Sequence, residues 1–86
     1  MVVYLTEHVL PGLTDDHVRS VRAALTETSR RLSHTGESIR LLECTYLATE
    51  LRCTFAATAE SQVRQALELA QLPLPTKCEP LDFLRT

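Results

Sequence analysis

Two amphipathic segments, each flanked by β-rich stretches, constrain the fold of this 86-residue chain more than any other feature. In both segments apolar residues recur every three or four positions, which is the spacing of one face of an α-helix. In the first segment these residues are Val18, Val21, Leu25 and Leu32, and in the second they are Val63, Ala66, Leu67 and Ala70. The second pattern stops before Pro73, because proline cannot continue a helix. The sequence therefore predicts two helices.

The residues at the ends of these segments predict where the helices begin and end. Thr14 offers a hydroxyl as N-cap, and Asp15 and Asp16 place negative charge at the positive end of the first helix. Gly36 tolerates the left-handed conformation that often closes a helix. Thr58 is the predicted N-cap of the second helix.

Four further stretches are rich in β-branched and aromatic residues and are predicted to be strands. They cover residues 2–10, 38–47 and 51–58, together with a segment within residues 77–84. Pro11 and Gly12 stop the first strand, and the short gap between the second and third predicts an antiparallel hairpin. Pro80 lacks a donor for the sheet ladder, so the fourth strand is predicted to lie at an edge.

The order of these elements is strand, helix, strand, strand, helix, strand. Right-handed crossovers then place both helices on one sheet face, with the first and third strands in the centre. We therefore predict an α+β fold, a ferredoxin-like βαββαβ sandwich, as a single domain over residues 1–86. Leu42 and Tyr46 alternate with Ile39 and Leu41, which indicates a second apolar face. Pairing of two such faces predicts a homodimer that forms an α/β barrel.

Composition excludes several classes of function. Nine basic and eleven acidic residues give a net charge of -2, which argues against nucleic acid as a partner. No apolar stretch approaches the roughly 20 residues of a membrane span, and no signal peptide is recognisable, so a cytoplasmic protein without membrane contact is expected. No nucleophile elbow, phosphate-binding loop, HExxH motif or dinucleotide fingerprint occurs. The sequence therefore favours a non-enzymatic protein, with a cofactor-free oxygenase as the weakest alternative.

The candidate metal ligands are His8 and Cys53. His8 lies near the end of the first predicted strand and Cys53 near the start of the third, so both are expected near one rim of the sheet, which Cys44 also approaches. Imidazole and thiolate together suit nickel, zinc or copper better than magnesium or calcium. The three cysteines include no CxxC pair, which predicts reduced thiols.

Strand alternation favours a different interpretation of the same two residues. His8 alternates with Tyr4 and Thr6, whereas Cys53 belongs to an apparently core-facing set with Phe55. On this interpretation Cys53 is a small buried hydrophobe and His8 a hydrogen-bonded strand residue. A bulge in the third strand would be needed to bring them together.

Two stretches of the chain resemble a small bacterial family, the domain of unknown function 4242 family. They are residues 4–14, YLTEHVLPGLT, and residues 53–73, CTFAATAESQVRQALELAQLP. The matching features are His8 before the Pro-Gly-Leu-Thr stop, Cys53 at the start of the third strand, and the start of the second helix at Ala57, Glu60, Val63 and Arg64. The family tends to carry a glycine-containing turn between strands two and three, and a histidine where Leu67 stands here. The resemblance implies a ferredoxin-like fold, a dimer formed through the sheets, and nickel binding as described for some members.

Two hypotheses of function follow. The first is a nickel or other transition-metal-binding homodimer that uses His8 and Cys53. The second is a metal-free structural or regulatory dimer that binds a small apolar ligand between its sheets.

Overall fold

The structure is a computed structural model that describes residues 1–81. Its elements are β1 (Val2–Val9), α1 (Asp15–His34), β2 (Ile39–Leu47), β3 (Glu50–Ala57), α2 (Glu60–Leu69) and β4 (Lys77–Leu81). This order confirms the predicted βαββαβ fold. Residues 82–84, which were included in the predicted fourth strand, lie outside the described residues.

The four strands form one antiparallel sheet in the order β2-β3-β1-β4. The two central strands are β1 and β3, as predicted from the right-handed crossovers. Pro80 lies in the edge strand β4 opposite Tyr4 of β1. An edge is the position at which a strand tolerates a residue without a backbone donor, so the prediction for β4 is confirmed.

Hydrogen bonds close both ends of α1 as the sequence predicts. Thr14 Oγ1 accepts from the His17 amide at 3.2 Å, and His17 Nδ1 accepts from the Thr14 amide at 3.3 Å. At the other end Gly36 has a φ of 94°, and the amide of Glu37 donates to the carbonyl of Leu32 at 3.0 Å. This is the six-to-one bond of a Schellman motif, which glycine favours because it has no Cβ.

The start of α2 differs from the prediction, because the N-cap is Ala59 and not Thr58. The alanine side chain has no hydrogen-bond acceptor. The side-chain amide of Gln62, in the first turn of α2, makes the capping hydrogen bonds in its place. Gln62 Oε1 accepts from the Thr58 amide at 2.9 Å and from the Ala59 amide at 3.3 Å. Gln62 Nε2 in turn donates to the Glu37 carboxylate at 2.7 Å, which ties α2 to the loop after α1.

The core lies between the two helices and one face of the sheet, which we call the inner face. Because side chains alternate along a strand, every second residue of each strand points towards the helices. The central strands contribute Tyr4, Thr6, His8, Leu51, Cys53 and Phe55, and the helices contribute Leu25, Leu32, Val63, Ala66 and Leu67. The central strands therefore place three polar or thiol side chains, Thr6, His8 and Cys53, among the apolar side chains of the inner face.

A register shift in β2 changes which side chains reach the inner face. Leu41 pairs with Phe55, but the next paired residue is Glu43, so Leu42 is an extra residue in this strand and is 44% exposed. Because of this extra residue, Cys44 and Tyr46 point to the same face as Leu41, whereas simple alternation would place them on the opposite face. Tyr46 therefore packs against the core, and its predicted position on the second sheet face was wrong.

Replacing Leu25 with alanine tests the location of the core. Leu25 is completely buried in α1, and its truncation is expected to lower the free energy of unfolding by about 2 to 5 kcal/mol, since a cavity remains where the side chain packed. Urea denaturation followed by circular dichroism measures this change. Ser20→Ala, at an exposed position of the same helix, serves as control and is expected to stay within about 0.5 kcal/mol of the parent. Equal effects of the two substitutions would contradict this packing.

Candidate functional site

The inner face of the sheet contains a row of polar and thiol side chains, His8, Thr6, Cys53 and Cys44, which we call the thiol row. Each of these residues is at most 1% exposed. They come from three neighbouring strands, with Thr6 of β1 directly opposite Cys53 of β3, and Cys53 directly opposite Cys44 of β2. The pairing register of the sheet alone therefore brings them together.

Short contacts connect the members of the row. His8 Nε2 lies 3.1 Å from Thr6 Oγ1 within β1. Across the sheet, the Cys53 thiol donates to Cys44 Sγ with a sulfur–sulfur distance of 3.7 Å. Polar groups buried in a core are expensive unless they are satisfied by one another, and most of the row meets this requirement internally.

The two thiols of the row are not equivalent. Donation from the Cys53 thiol lowers the pKa of Cys44, and the charge of Arg22 acts in the same direction against the effect of burial. The same hydrogen bond, together with burial, raises the pKa of Cys53. Arg22 is held in place by a 2.7 Å hydrogen bond from Nη2 to the backbone carbonyl of Cys44. Cys44 is therefore the thiol that ionises first.

His8 closes the other end of the row. Burial lowers the pKa of its imidazole, while the backbone carbonyl of Pro73 acts weakly in the opposite direction. The ring is therefore neutral at neutral pH. Its Nδ1 atom is buried, and within residues 1–81 no partner meets the length and angle of a standard hydrogen bond, so the contact of the ring with the Pro73 carbonyl falls short of one.

The predicted metal ligands His8 and Cys53 lie on the same face of neighbouring strands. His8 pairs with Leu51, two residues before Cys53, so the two are diagonal neighbours and β3 needs no bulge. The expectation that alternation separates them was wrong, because the alternating sets of β1 and β3 both face the helices. A complete ligand set is a different matter: residues 1–81 contain no group of three or more His, Cys, Asp or Glu side chains placed to hold a metal ion.

The direct pairing of Cys44 with Cys53 was not predicted from the sequence. The signal for it is the hairpin, since the two-residue loop between Leu47 and Glu50 fixes the register of β2 against β3. Counting outward from that closing pair places Cys44 opposite Cys53. The loop contains no glycine, and Ala48 adopts a left-handed φ of 58°, so the usual sequence marker of such a turn is missing.

Two surface clefts end at Cys44. One, of about 450 Å³, lies between α1 and β2 and is lined in part by Arg19, Arg22 and Tyr46. The other, of about 330 Å³, lies beside the irregular part of β2 and also includes Arg22 and Cys44. Cys44 therefore lines both clefts, although it is only 1% exposed.

Comparison with known proteins establishes the fold and nothing further. No protein-family model matches the sequence, and no curated protein sequence matches it. The structure is similar to the crystal structure of SCO4226 from Streptomyces coelicolor A3(2), with a TM-score of 0.77 and 13% sequence identity over 94% of this chain and 96% of that chain. Neither helix of the described residues combines the length and apolar character needed to cross a membrane.

The buried imidazole predicts a pH dependence of stability. The folded-state pKa of His8 lies below the ordinary histidine value of 6.5 because the ring is buried, so just below that pH the unfolded chain binds more protons than the folded one. We expect the free energy of unfolding to decrease as the pH falls from 6.5 towards 5, as measured by urea denaturation.

His8→Gln removes the titrating ring and is expected to flatten this pH dependence. His34→Gln, at an exposed position near the end of α1, is the matched control and is expected to retain it. A parent protein whose stability does not change between pH 6.5 and 5 would contradict the burial of a neutral His8.

Proposed function

We propose that this protein works as a homodimer in which the sheets of two copies pack together through the faces that carry no helix. We call this the outer face of the sheet. Its residues are Val3, Leu5 and Glu7 of β1, Arg52, Thr54 and Ala56 of β3, Lys77, Glu79 and Leu81 of β4, and Arg40, Glu43 and Thr45 of β2. The observation that carries the proposal is the apolar part of this face.

The apolar part lies at one end of the central strands. Val3 pairs with Ala56 on one side and Leu81 on the other, and Leu5 lies in the next row. Both helices contribute their apolar side chains to the opposite face. On the outer face Val3, Leu5 and Leu81 are partly exposed, and Ala56 beside them is 7% exposed. A contiguous apolar surface on a small domain is a common feature of interfaces.

The other end of the outer face is charged but balanced. The guanidinium of Arg52 lies 3.6 Å from the Glu7 carboxylate, and Lys77 lies 3.2 Å from Glu79. The acidic side chains Glu7, Glu43 and Glu79 are matched in number by the basic side chains Arg40, Arg52 and Lys77. A second copy that approaches this face therefore meets no net electrostatic repulsion.

A second copy of this chain is the partner that we expect to cover the outer face. An 86-residue domain buries only about 60 to 65% of its unfolded surface, so association adds apolar burial that a single core of this size lacks. The resemblance to the domain of unknown function 4242 family implies the same arrangement. In such a dimer the space between the two sheets, lined by Val3, Leu5 and Ala56, suits a small apolar ligand, and the role is structural or regulatory.

Substitution of Leu5 by glutamate tests the dimer. The parent protein is expected to have the mass of two chains by size-exclusion chromatography with light scattering at micromolar concentration. Leu5→Glu is expected to shift it to the mass of one chain, because each interface then buries a carboxylate without a partner. Leu69→Glu, at a 58% exposed position on α2, is the matched control and is expected to remain dimeric. A monomeric parent protein would overturn the proposal.

Metal binding is the second candidate function, and one observation favours it. Nδ1 of His8 is buried and makes no standard hydrogen bond with the part of the chain that the structure describes, and Cys53 lies on the same face of the adjacent strand. Neutral imidazole and thiolate are ligands for nickel, zinc or copper. The two residues do not fit a complete metal centre by themselves, since Cys53 already donates to Cys44 and residues 1–81 supply no third ligand group of His, Cys, Asp or Glu in place.

A nickel titration tests the metal site separately from the dimer. If His8 is a ligand, isothermal titration calorimetry of the parent protein gives saturable binding of nickel that His8→Ala removes, since the imidazole supplies one of the donor atoms. His34→Ala serves as control for exposed imidazoles and is expected to bind like the parent. Equal binding by parent and His8→Ala, or no binding by either, rules out the metal site and leaves the dimer proposal untouched.

A further inference from the structure

Cys44 and Cys53 are placed as the two cysteines of a cross-strand disulfide would be. The two residues are direct partners of the β2–β3 ladder, and both are free thiols. Direct antiparallel partners have Cα atoms about 4.5 to 5.5 Å apart, within the range of about 4.4 to 6.8 Å that disulfides require. Closing the 3.7 Å sulfur–sulfur distance to the bonded length of about 2.05 Å needs side-chain rotation and little backbone movement.

We propose that Cys44 and Cys53 are a redox site at which a hydroperoxide converts the two thiols into a cross-strand disulfide. Cys44 is the thiol that attacks the peroxide, and Cys53 is the thiol that resolves the oxidised product. This reaction needs neither the dimer nor a metal ion, and it uses the Cys53 thiol that the second candidate function assigns to a metal.

The surroundings of the pair decide which thiol reacts first. Cys44 lies on the edge strand β2, in the lining of two surface clefts and beside the guanidinium of Arg22. It is only 1% exposed, but neighbouring positive charge is a feature of reactive cysteines. Cys53 lies on the central strand β3 and is 0% exposed, which suits a resolving thiol, because it needs to meet only the sulfur of Cys44.

The irregular pairing in β2 allows the movement that the reaction needs. The register shift between Leu41 and Glu43 comes immediately before Cys44, and a bulge locally disrupts the ladder of an edge strand. Bulges are frequent beside reactive residues because they permit a side chain to be re-aimed. Local opening at this point exposes Cys44 to a small peroxide without unfolding the core.

The reaction balances as two successive steps. The Cys44 thiolate attacks one oxygen of the hydroperoxide and the O–O bond breaks, which gives a sulfenic acid on Cys44 and, after protonation, water or an alcohol. The Cys53 sulfur then attacks the sulfenic sulfur, the S–O bond breaks, and the hydroxyl leaves as water with the Cys53 proton. The two sulfurs lose two electrons in total and the peroxide gains them. A dithiol reductant reverses the change by exchange.

The third cysteine provides an internal control. Cys78 lies on β4 opposite Thr6, so β1 separates it from Cys53. With strands about 4.8 Å apart, that separation is about 10 Å, too far for a disulfide without rearrangement of the sheet. The structure therefore predicts one disulfide and one remaining thiol.

Peptide mapping of the parent protein tests the proposal directly. The reduced full-length chain is treated with hydrogen peroxide in the presence of a chelator, blocked with an alkylating reagent and digested with trypsin without reduction. Cleavage after Arg40, Arg52 and Arg64 places Cys44 in the peptide 41–52 and Cys53 in the peptide 53–64. We expect mass spectrometry to find these two peptides linked, the link to disappear on reduction, and Cys78 to remain alkylated.

Variants assign the roles of the two thiols. Cys53→Ala is expected to accumulate a sulfenic acid on Cys44 that dimedone traps, whereas Cys44→Ala is expected to leave Cys53 unmodified. Cys78→Ala is the matched control and is expected to form the 41–52 to 53–64 link like the parent. Peptide mapping of the parent protein does not depend on the folding of any variant, so its result is sufficient to test the proposal. Three alkylated thiols after peroxide treatment, a link that involves Cys78, or a link that forms only in urea overturns it.

Discussion

The antiparallel pairing of β1 with β3 determines where the buried polar and thiol side chains of this protein lie. Both strands are central, so the alternating sets Tyr4, Thr6, His8 and Leu51, Cys53, Phe55 are turned towards the same two helices. A shift of one residue in this register would move the imidazole and the thiol to opposite sides of the sheet. The buried thiol row and the helix-free outer face are thus two results of one set of backbone hydrogen bonds.

The fold was predictable because its signals are local. The stripes of the two helices, the capping residue Thr14, the glycine after α1 and the edge position implied by Pro80 each act within a few residues of chain, and all agree with the structure. The cap of α2 was not predicted, since Gln62 reaches back to Thr58 and Ala59 through a side chain whose conformation the sequence does not specify. Element order was accessible from the sequence, and side-chain detail was not.

The candidate site was predictable as a set of residues but not as an arrangement. His8, Cys44 and Cys53 were identified by their chemistry, yet alternation within one strand cannot tell which of its two faces meets the helices. The direct opposition of Cys44 and Cys53 depends on the loop length of a hairpin whose turn uses Ala48 in place of glycine. The pairing of Arg22 with the Cys44 carbonyl depends on how α1 packs across β2, which no local pattern records.

The extra residue at Leu42 is a position at which β2 can lose a residue without a change of faces. Without it Leu41 would still pair with Phe55 and Glu43 with Thr54, now in an uninterrupted ladder, so Cys44 would stay opposite Cys53 and Tyr46 would still face the helices. Removal of one residue between Cys44 and Leu47 would instead shorten the distance to the hairpin loop and place Cys44 opposite Arg52, on the outer face. In related chains, a deletion at Leu42 is therefore compatible with the thiol pair, whereas a deletion closer to the loop is not.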